Sequence, residues 1–412
     1  DSRYFRAITY KTITKEGWNI HSLKIMWFTN KKMAHLPKPQ GKYVPGCADV
    51  MLDYSKDGLF MRLYFPTSAK QEQNANYSNW ALWSPDSNYI DGIARAIFVK
   101  PFILRILAWW YCGTDIYTPA LYGEKVNTDN KLKCVVLSHG YASNRFFYSI
   151  ICNELASRGY LVAAIEHRDQ SACFTYYYDS KENVEKDVKS PINVRHISVG
   201  HYIERNKQVN HRAEECSRLI DFLINLNAGQ VPFNILDDLN KNQTFNLKDL
   251  VGRLDLDTLT MAGHSFGGAT ALLTLSKRKE LKQGILLDPW MFPIKDEKSV
   301  IQDITQPLLY INTQTFHISA NVKAMDKYLT NDDRHMFTIL HTTHESQTDS
   351  IHVIGHWLNW FMKKLKPDVA LNINNALMLR FLKQYTGHSE NVDDLEKCLE
   401  NEKNNFVSGL TK

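Results

Sequence analysis

The chain has 412 residues, of which 44% are hydrophobic and 12% aromatic, and its formal net charge at pH 7 is +5. This apolar content is enough for a large folded core, so the composition favours a folded chain over an intrinsically disordered one. No stretch reaches the roughly 18–20 uninterrupted apolar residues that a membrane-spanning helix needs, and no basic and aromatic stripe typical of nucleic-acid binding is present.

The first predicted segment is a basic N-terminal arm of unknown structure, residues 1–38. Residues 1–42 hold nine lysines or arginines against two acidic residues, whereas the rest of the chain has a slight acidic excess. Such an arm is either a solvated segment or a contact with an anionic lipid surface. We expect residues 39–412 to form a single domain.

The predicted domain opens with two short β-strands, residues 51–54 and 59–65, which are joined by a turn at 56–58. The polar residues 67–92 that follow are expected to form a loop.

Residues 97–112 form an intensely apolar segment that only Lys100 and Arg105 interrupt. The segment is too short to span a bilayer, but it suits a helix that lies in a membrane or lipoprotein interface, with its tryptophans at headgroup depth. The alternative is a helix packed in the core. A helix predicted at 351–365 is a candidate to lie beside it. The predicted lipid-facing side chains are Phe102, Ile103, Ile106, Leu107, Trp109, Trp110, Trp357 and Phe361.

From about residue 130 onward, strands alternate with helices, which predicts an α/β fold with a mostly parallel central sheet flanked by helices. The strands are short and apolar without clean alternation, which is typical of strands buried on both faces. The charged stretch 179–207 is expected to be an insertion at the edge of the sheet, either a flap over the site or a surface loop. The predicted strands are 134–138, 161–165, 258–262, 284–287, 308–312 and 336–340, and the predicted helices are 145–157, 209–226, 267–277 and 351–365.

The run Gly263-His264-Ser265-Phe266-Gly267 lies between a predicted strand and a predicted helix. In this context a G-x-S-x-G motif is typical of the nucleophile turn of α/β-hydrolases, which predicts Ser265 as the nucleophile. The two glycines leave room for the strand and the helix to approach closely. The alternative is an ordinary glycine-rich turn. His264 is an alternative base, but in such a turn its side chain is expected to point away from the serine hydroxyl.

The predicted acid is Asp288. In α/β-hydrolases the acid and then the histidine follow the nucleophile along the chain. Asp288 directly follows the predicted strand 284–287, whereas the later Asp296 and Glu297 lie in a charged loop that is expected to face solvent.

The predicted base lies in the loop after the last predicted strand, 336–340. His341 adjoins this strand and His344 lies further out, and the pattern alone leaves both open. In either case the imidazole takes the proton of Ser265 as the hydroxyl attacks an ester carbonyl, and the carboxylate holds the imidazole tautomer. Water activated by the same histidine then hydrolyses the acyl-enzyme.

Two backbone N–H groups are expected to form an oxyanion hole. One belongs to Phe266, the residue after the nucleophile, and the other comes from a loop after an earlier strand. Residues 135–141 have that form, which predicts the Tyr141 N–H as the second donor, with an ordinary βα turn as the alternative.

The cysteines and the glycosylation sequons leave the compartment open between secreted and cytosolic. The chain has seven cysteines without CxxC or Cys/His ligand spacing, so most are expected to be buried thiols, and no metal or cofactor is expected. Sequons at Asn76 and Asn242 matter only in a secreted chain.

Several sequence blocks resemble the platelet-activating factor acetylhydrolase family, which includes lipoprotein-associated phospholipase A2. The resemblance covers residues 39–385. The blocks are YVPGCAD at 43–49, LSHG at 137–140, LASRGY at 155–160, EHRDQSA at 166–172, GHSFGGAT at 263–270 and LDPWMFP at 287–293.

The resemblance implies that Ser265, Asp288 and His344 form the triad and that Tyr141 supplies the second oxyanion donor, although the family usually has an aliphatic residue at that position. Pro289 stands where the family has a small residue. The resemblance also implies a calcium-independent esterase for short or oxidised sn-2 acyl chains of phospholipids, with apolar helices that contact lipid. The sequence has no recognisable calcium-loop motif.

Two other functions remain as alternatives. The first is a general carboxylesterase or lipase with a different acyl preference. The second, from another class, is a catalytically inactive hydrolase that serves as a binding module. Such proteins usually lack the serine, the acid or the histidine, and this chain has all three.

Overall fold

The structure is a computed structural model that describes residues 35–70, 79–112, 115–198, 200–239, 243–329, 332–353, 364–387 and 393–410, without the side chains of 110–112, 298 and 301. Most of the predicted basic arm lies outside these residues, as do the sequon asparagines Asn76 and Asn242. At the end of that arm, Leu36 is buried and its N–H donates to the carbonyl of Tyr117 at 2.9 Å.

Within the described residues, one large sheet has eleven strands in the order β13-β12-β11-β10-β9-β5-β6-β2-β1-β4-β3, and β7 pairs with β8 in a small separate sheet. The strands are β1 (Pro45–Met51), β2 (Phe60–Pro66), β3 (Trp80–Leu82), β4 (Tyr117–Tyr122), β5 (Leu132–Ser138), β6 (Tyr160–Ile165), β7 (Phe174–Tyr177), β8 (Ser190–Asn193), β9 (Leu254–His264), β10 (Gln283–Leu287), β11 (Leu308–Thr313), β12 (Arg334–Ile339) and β13 (Phe406–Ser408).

Helices cover both faces of this sheet. Six neighbouring strands, β6, β5, β9, β10, β11 and β12, pair in parallel, and most of their residues are buried. The prediction of a mostly parallel α/β-hydrolase sheet is therefore confirmed. The helices are α1 (Ser87–Ala96), α2 (Pro101–Cys112), α3 (Ser149–Ser157), α4 (Lys181–Glu185), α5 (Tyr202–Asn227), α6 (Phe266–Lys277), α7 (Lys298–Asp303), α8 (Ser319–Asp326), α9 (Ser350–Val353), α10 (Pro367–Thr386) and α11 (Asp393–Asn401).

The register of the central strands sets the position of the site. Leu287 at the end of β10 pairs with His264 at the end of β9, and Ser138 at the end of β5 pairs with Gly263. Because these strands are parallel, the loops that follow them emerge at the same edge of the sheet. The residues after β5, β9 and β10 therefore lie together.

Two local predictions near the N-terminus were wrong. The first strand covers Pro45–Met51 rather than 51–54, because β1 is buried along its whole length and shows no alternating pattern. The predicted loop 67–92 contains β3 and the start of α1, where the Asp86 side chain caps the helix by accepting the N–H of Asn88.

Further differences concern the insertion and the C-terminus. The charged stretch 179–207 is more ordered than a loop, since it contains α4, β8 and the start of α5. In the described part of the predicted helix 351–365, only residues 351–353 are helical, as the end of α9 (Ser350–Val353), and residues 354–363 lie outside the described part. The long helix α10 that follows was not predicted.

The described cysteine side chains bear out the expectation of buried thiols, since all are free and buried except the partly buried Cys398. None of the helices in the described ranges is both long enough and apolar enough to cross a membrane.

Four charged side chains are buried together where β1, β2 and the loops after β5 and β6 meet. Arg62 Nε donates to Asp49 Oδ1 at 2.7 Å, Arg145 Nη2 donates to Asp49 Oδ2 at 2.8 Å, and Arg145 Nη1 donates to Glu166 Oε2 at 2.8 Å. Burial alone raises the pKa of Asp49, but the charges of Arg145 and Arg62 outweigh it and hold this pKa well below its ordinary value. The cluster therefore joins four segments of the chain electrostatically.

We expect Asp49→Asn to lower the free energy of unfolding by about 3–5 kcal/mol, because it leaves buried guanidinium charge without its partner. Asp91→Asn, which removes the partner of the half-exposed Arg105, is the control and should cost less than about 1 kcal/mol. Urea denaturation at several pH values measures both.

The pH dependence of the Asp49 effect follows from its lowered pKa. The stabilisation is present above the pKa of an unfolded aspartate, about 3.9, and is lost as the pH falls below it. The difference between wild type and Asp49→Asn should therefore shrink in acid. Equal losses for the Asp49 and Asp91 variants at neutral pH would contradict the role of the cluster.

Candidate active site

Ser265 lies in the sharp turn between β9 and α6, with φ 56° and ψ −115°. This positive φ is strained for a residue with a side chain. The surrounding backbone holds it in place, because the Ser265 N–H donates to the carbonyl of Leu287 at 2.9 Å and the Ser265 carbonyl accepts the N–H of Trp290 at 2.8 Å. The turn therefore depends on hydrogen bonds to the end of β10 and the loop after it.

The two motif glycines lie where no side chain fits. A Cβ on Gly263 would be 2.1 Å from the carbonyl oxygen of Gly267, and a Cβ on Gly267 would be 2.0 Å from the carbonyl oxygen of Ser138. The turn thus packs backbone against backbone, as the motif predicts.

Asp288 lies directly after β10 and is only 1% exposed. Its Oδ1 accepts the N–H of Thr313 at 2.6 Å, and its Oδ2 accepts the hydroxyl of Thr313 and lies 3.0 Å from His344 Nδ1. An ionised carboxylate only accepts hydrogen bonds, so His344 Nδ1 carries the proton and its Nε2 is left as an acceptor. The imidazole is therefore held in the tautomer that a general base needs.

His344, rather than His341, reaches the carboxylate of Asp288. His344 begins a short 3₁₀ helix, His344–Gln347, that a capping box between Thr343 and Ser346 stabilises. The His344 ring stacks on Phe316 with a centroid distance of 3.9 Å. His341 is instead held through its backbone N–H, which donates to Gln314 Oε1 at 2.7 Å.

The His264 ring lines the same cavity as Ser265, and its centroid lies 4.4 Å from that of the His344 ring. Its Nδ1 is 2.8 Å from the hydroxyl of Tyr148, which also accepts the N–H of Gly140 at 3.0 Å. Burial and the nearby His344 lower the pKa of His264 well below its ordinary value. His264 is therefore a neutral ring that ties the turn to the loop after β5.

Gly140 and Tyr141, whose shared peptide carries the predicted second oxyanion donor, lie near the serine. A Cβ on Gly140 would lie 3.4 Å from Ser265 Cβ, and Tyr141 lines the cavity together with Ser265. The N–H of Phe266 begins α6, where a helix leaves its N–H groups without intrahelical acceptors. Among the described residues, neither the Tyr141 N–H nor the Phe266 N–H donates to a protein acceptor.

A cavity of about 290 Å³ lies above Ser265. Its walls include apolar side chains from the end of α1 and from α9, namely Ile93, Ile97 and Ile351, together with Tyr141 and the polar Lys364. Larger cavities of about 570 and 480 Å³ lie elsewhere, but their walls contain no predicted catalytic or oxyanion residue.

Three metal-ligand atoms also meet here, since a nitrogen or oxygen atom from each of His264, Asp288 and His344 lies within 4.8 Å of the others. His264 Nδ1 is engaged by Tyr148, and the oxygens of Asp288 accept hydrogen bonds from Thr313 and His344. A cation bound through Asp288 would compete with the hydrogen bonds that its oxygens accept from Thr313 and His344.

The predicted lipid-facing helix has an exposed apolar face. On α2, Phe102, Ile106 and Trp109 are each about 60% exposed and Ile103 is 40% exposed, whereas Leu107 is half-buried. Trp357, Phe361 and the side chain of Trp110 lie outside what the structure describes.

Sequence reasoning missed several residues that hold the site. Thr313, Phe316 and Tyr148 contact the predicted triad and the turn from segments far away in the chain. Of these three, only Thr313 could have been found from the sequence. It ends β11, which is the neighbour of β10, and Asp288 directly follows β10.

Comparisons with known proteins show the family of the chain. The chain matches the family described as platelet-activating factor acetylhydrolase, isoform II, over residues 28–406. It is 33% identical over 417 residues to the platelet-activating factor acetylhydrolase of Cavia porcellus, covering 100% of this chain and 91% of that protein. It is 32% identical over 404 residues to that of Bos taurus, covering 96% and 87%.

Among solved structures, a ferulic acid esterase from Streptomyces cinnamoneus is similar, with a TM-score of 0.59 and 14% identity over 91% of this chain and 98% of that chain. At this identity the likeness shows the fold alone.

We expect Gly267→Ala to lower the free energy of unfolding by about 3 kcal/mol or more, because the new Cβ would overlap the Ser138 carbonyl and force the turn to move. Gly200→Ala, where a Cβ would meet nothing within 4 Å, is the control and should change stability little. Denaturant titration of both variants measures this. A Gly267→Ala protein as stable as wild type would show that the close packing is not required.

Proposed function

The chain belongs to the platelet-activating factor acetylhydrolase family and is a carboxylic ester hydrolase. From this premise we propose that it hydrolyses the short or oxidised sn-2 acyl ester of phospholipids such as platelet-activating factor, through an acyl-enzyme on Ser265. The observation that carries the proposal is the His344–Asp288 hydrogen bond beside the cavity that His344, Ser265 and Tyr141 line.

The proposed reaction needs only groups of this chain and water. His344 Nε2 takes the Ser265 proton while Oγ attacks the ester carbonyl, and the N–H groups of Tyr141 and Phe266 stabilise the oxyanion that forms. The imidazolium, stabilised by Asp288, returns the proton to the departing glycerol oxygen. A water molecule then gives one proton to His344 and its hydroxide to the acyl carbon. His344 passes that proton to Ser265 Oγ as the bond between Oγ and the acyl carbon breaks, which releases the carboxylic acid and restores Ser265.

The size of the cavity supports a short acyl chain. Its volume of about 290 Å³ lies just below the range for small-molecule sites, about 300–1,000 Å³. A general carboxylesterase or lipase with a different acyl preference is the competing proposal, and it requires a longer acyl channel.

We propose that α2 contacts the lipid surface from which the substrate comes. Soluble proteins rarely expose a contiguous apolar face without a partner, and α2 exposes Phe102, Ile103, Ile106 and Trp109 on one helix. The helix begins just after Ile97, which lines the cavity above Ser265. A phospholipid that leaves the interface there would have a short path to the nucleophile.

The proposed activity is independent of calcium and of other metals. The support for this is the hydrogen bonding of Asp288, whose oxygens are engaged by Thr313 and His344.

The central test compares a choline phospholipid that carries an sn-2 acetyl group with one that carries a long sn-2 acyl chain, both in chelator. We expect fast acetyl release, slow long-chain release, and a loss of about 10⁴-fold or more in kcat for Ser265→Ala, because the nucleophile is removed. Ser276→Ala, near the C-terminal end of α6, is the matched control and should retain activity.

Similar rates on both lipids would support the broad lipase alternative. Activity that survives in Ser265→Ala would overturn the proposed mechanism, and activity that chelator removes would overturn the proposed metal independence.

A second test addresses the lipid surface. We expect Trp109→Ala, alone or together with Trp110→Ala, to weaken binding to phosphatidylcholine vesicles several-fold while sparing hydrolysis of a water-soluble ester, because an exposed aromatic side chain anchors at headgroup depth. Val188→Ala removes an apolar side chain outside α2 that is 50% exposed, against 61% for Trp109, and is the control. An equal loss on vesicles and soluble ester would indicate a folding role for Trp109.

A further inference from the structure

Arg212 is a buried arginine on α5 that the proposed reaction does not use. It is 0% exposed, and it is anchored on one side by Asp169 and Ser171, with Nε lying 3.1 Å from Asp169 Oδ2 and 2.9 Å from Ser171 Oγ. The terminal nitrogens reach the loop after β5: Nη1 donates to the carbonyl of His139 at 2.6 Å, and Nη2, which also donates to Ser171 Oγ, lies 3.4 Å from the carbonyl oxygen of Gly140. One guanidinium therefore holds two consecutive carbonyls of the loop after β5.

The carbonyl of Gly140 also accepts a second hydrogen bond, from the ring of His139. His139 Nε2 lies 3.2 Å from the N–H of His167 and accepts it, so the ring proton is on Nδ1, which lies 2.8 Å from the Gly140 oxygen. Burial and the positive charge of Arg212 lower the pKa of His139 well below its ordinary value, which keeps the ring in this neutral form. Two donors from different segments thus fix the direction of the carbonyl.

This carbonyl belongs to the same peptide group as the Tyr141 N–H. The peptide is planar and trans, so its C=O and N–H point in opposite directions. When Arg212 and His139 hold the carbonyl, the Tyr141 N–H is aimed to the other side of the loop. A carbonyl that accepts from a guanidinium also polarises its peptide group and makes the N–H a stronger donor.

The same helix reaches the side chains of both donor residues. The Arg212 guanidinium carbon lies 4.5 Å from the ring centroid of Phe266, and the guanidinium carbon of Arg205 lies 4.4 Å from the ring centroid of Tyr141. Arg205 and Arg212 are seven residues apart and therefore face the same side of α5. The face of α5 that carries them supports both halves of the predicted oxyanion hole.

We propose that Arg212 is a positioning residue for the oxyanion hole, which orients and polarises the Gly140–Tyr141 peptide so that the Tyr141 N–H meets the developing oxyanion. The inference rests on the proposed function, because it assumes that Tyr141 supplies an oxyanion donor. Arg212 itself does not touch the reacting atoms. Its effect should therefore appear in transition-state stabilisation rather than in substrate binding.

The first variant is Arg212→Lys, which keeps the positive charge but loses the planar fork that reaches two carbonyls. Removal of one oxyanion donor lowers kcat by about 10²–10³-fold. In Arg212→Lys the Tyr141 N–H is still present but no longer aimed correctly, so kcat should fall by about 10- to 100-fold. We expect this loss in kcat on the sn-2 acetyl phospholipid, with KM within about twofold of wild type. A trifluoromethyl ketone, which forms a tetrahedral oxyanion adduct with a serine, should bind more weakly by a similar factor.

Two further variants separate positioning from folding. Ser171→Ala removes a hydroxyl that accepts from Arg212 and donates to Asp169, the other anchor of Arg212, and it should lower kcat in the same direction by several-fold. Arg334→Lys is the matched structural control, because Arg334 is also buried and donates to two carbonyls, those of Tyr328 and Ile304. Arg334 lies at the start of β12, whereas the candidate site lies at the carboxyl ends of the parallel strands. Arg334→Lys should lower the melting temperature without lowering kcat or the affinity for the ketone.

The inference is overturned if folded Arg212→Lys and Ser171→Ala keep wild-type kcat and ketone affinity, or if kcat falls while ketone affinity does not. If Arg212→Lys does not fold, Ser171→Ala alone decides between the two outcomes. Failure of the proposed function is distinguishable, since it would appear as a wild-type protein that does not hydrolyse the acetyl lipid or as an active Ser265→Ala.

Discussion

The close packing of backbone around Ser265 is the constraint on which the rest of the site depends. Gly263 and Gly267 bring β9, α6 and the end of β5 so near to one another that neither position has room for a Cβ. Ser265 is held at a positive φ by hydrogen bonds to the end of β10 and the loop after it. The same contacts place Asp288, which follows β10, and Gly140, which follows β5, beside the serine. Strain at one residue is thus supported by the hydrogen bonds of two neighbouring segments.

Buried polar networks occupy the same edge of the sheet. Besides the cluster around Asp49, Ser138 Oγ lies 2.8 Å from His167 Nε2, and His167 Nδ1 lies 2.7 Å from Glu215 Oε2. This arrangement has the chemistry of a serine, histidine and carboxylate relay, but all three residues are buried away from substrate. It ties the end of β5 to the loop after β6 and to α5. Such networks are costly unless every member is paired, and full pairing makes a loop rigid.

The apolar face of α2 that we propose to contact lipid and the cavity above Ser265 are connected by the end of α1. Ile93 and Ile97 line the cavity above Ser265, and the exposed apolar face of α2 begins a few residues later. A surface that is apolar beside the cavity mouth and a cavity of modest volume would together favour a substrate that is anchored in lipid by its long chain and presents a short acyl group. Each feature alone fits many esterases, and only their combination restricts the substrate class.

The sequence by itself determined the parts of this protein that local pattern encodes. One short run of sequence predicts the strand before Ser265, the helix after it and the two closely packed glycines. The prediction of Asp288 as the acid rests on its position directly after an apolar strand. The pattern left His341 and His344 open as the base, and it did not reveal α10. It also did not reveal β3 and the start of α1 within residues 67–92, because the polar residues of that segment obscure the periodicity. The tertiary structure alone brought His344 to Asp288, Thr313 to the same carboxylate and Arg212 to the Gly140 carbonyl. These contacts join segments distant in the chain, so they depend on sheet register and on the path of the loops, which no local sequence pattern specifies.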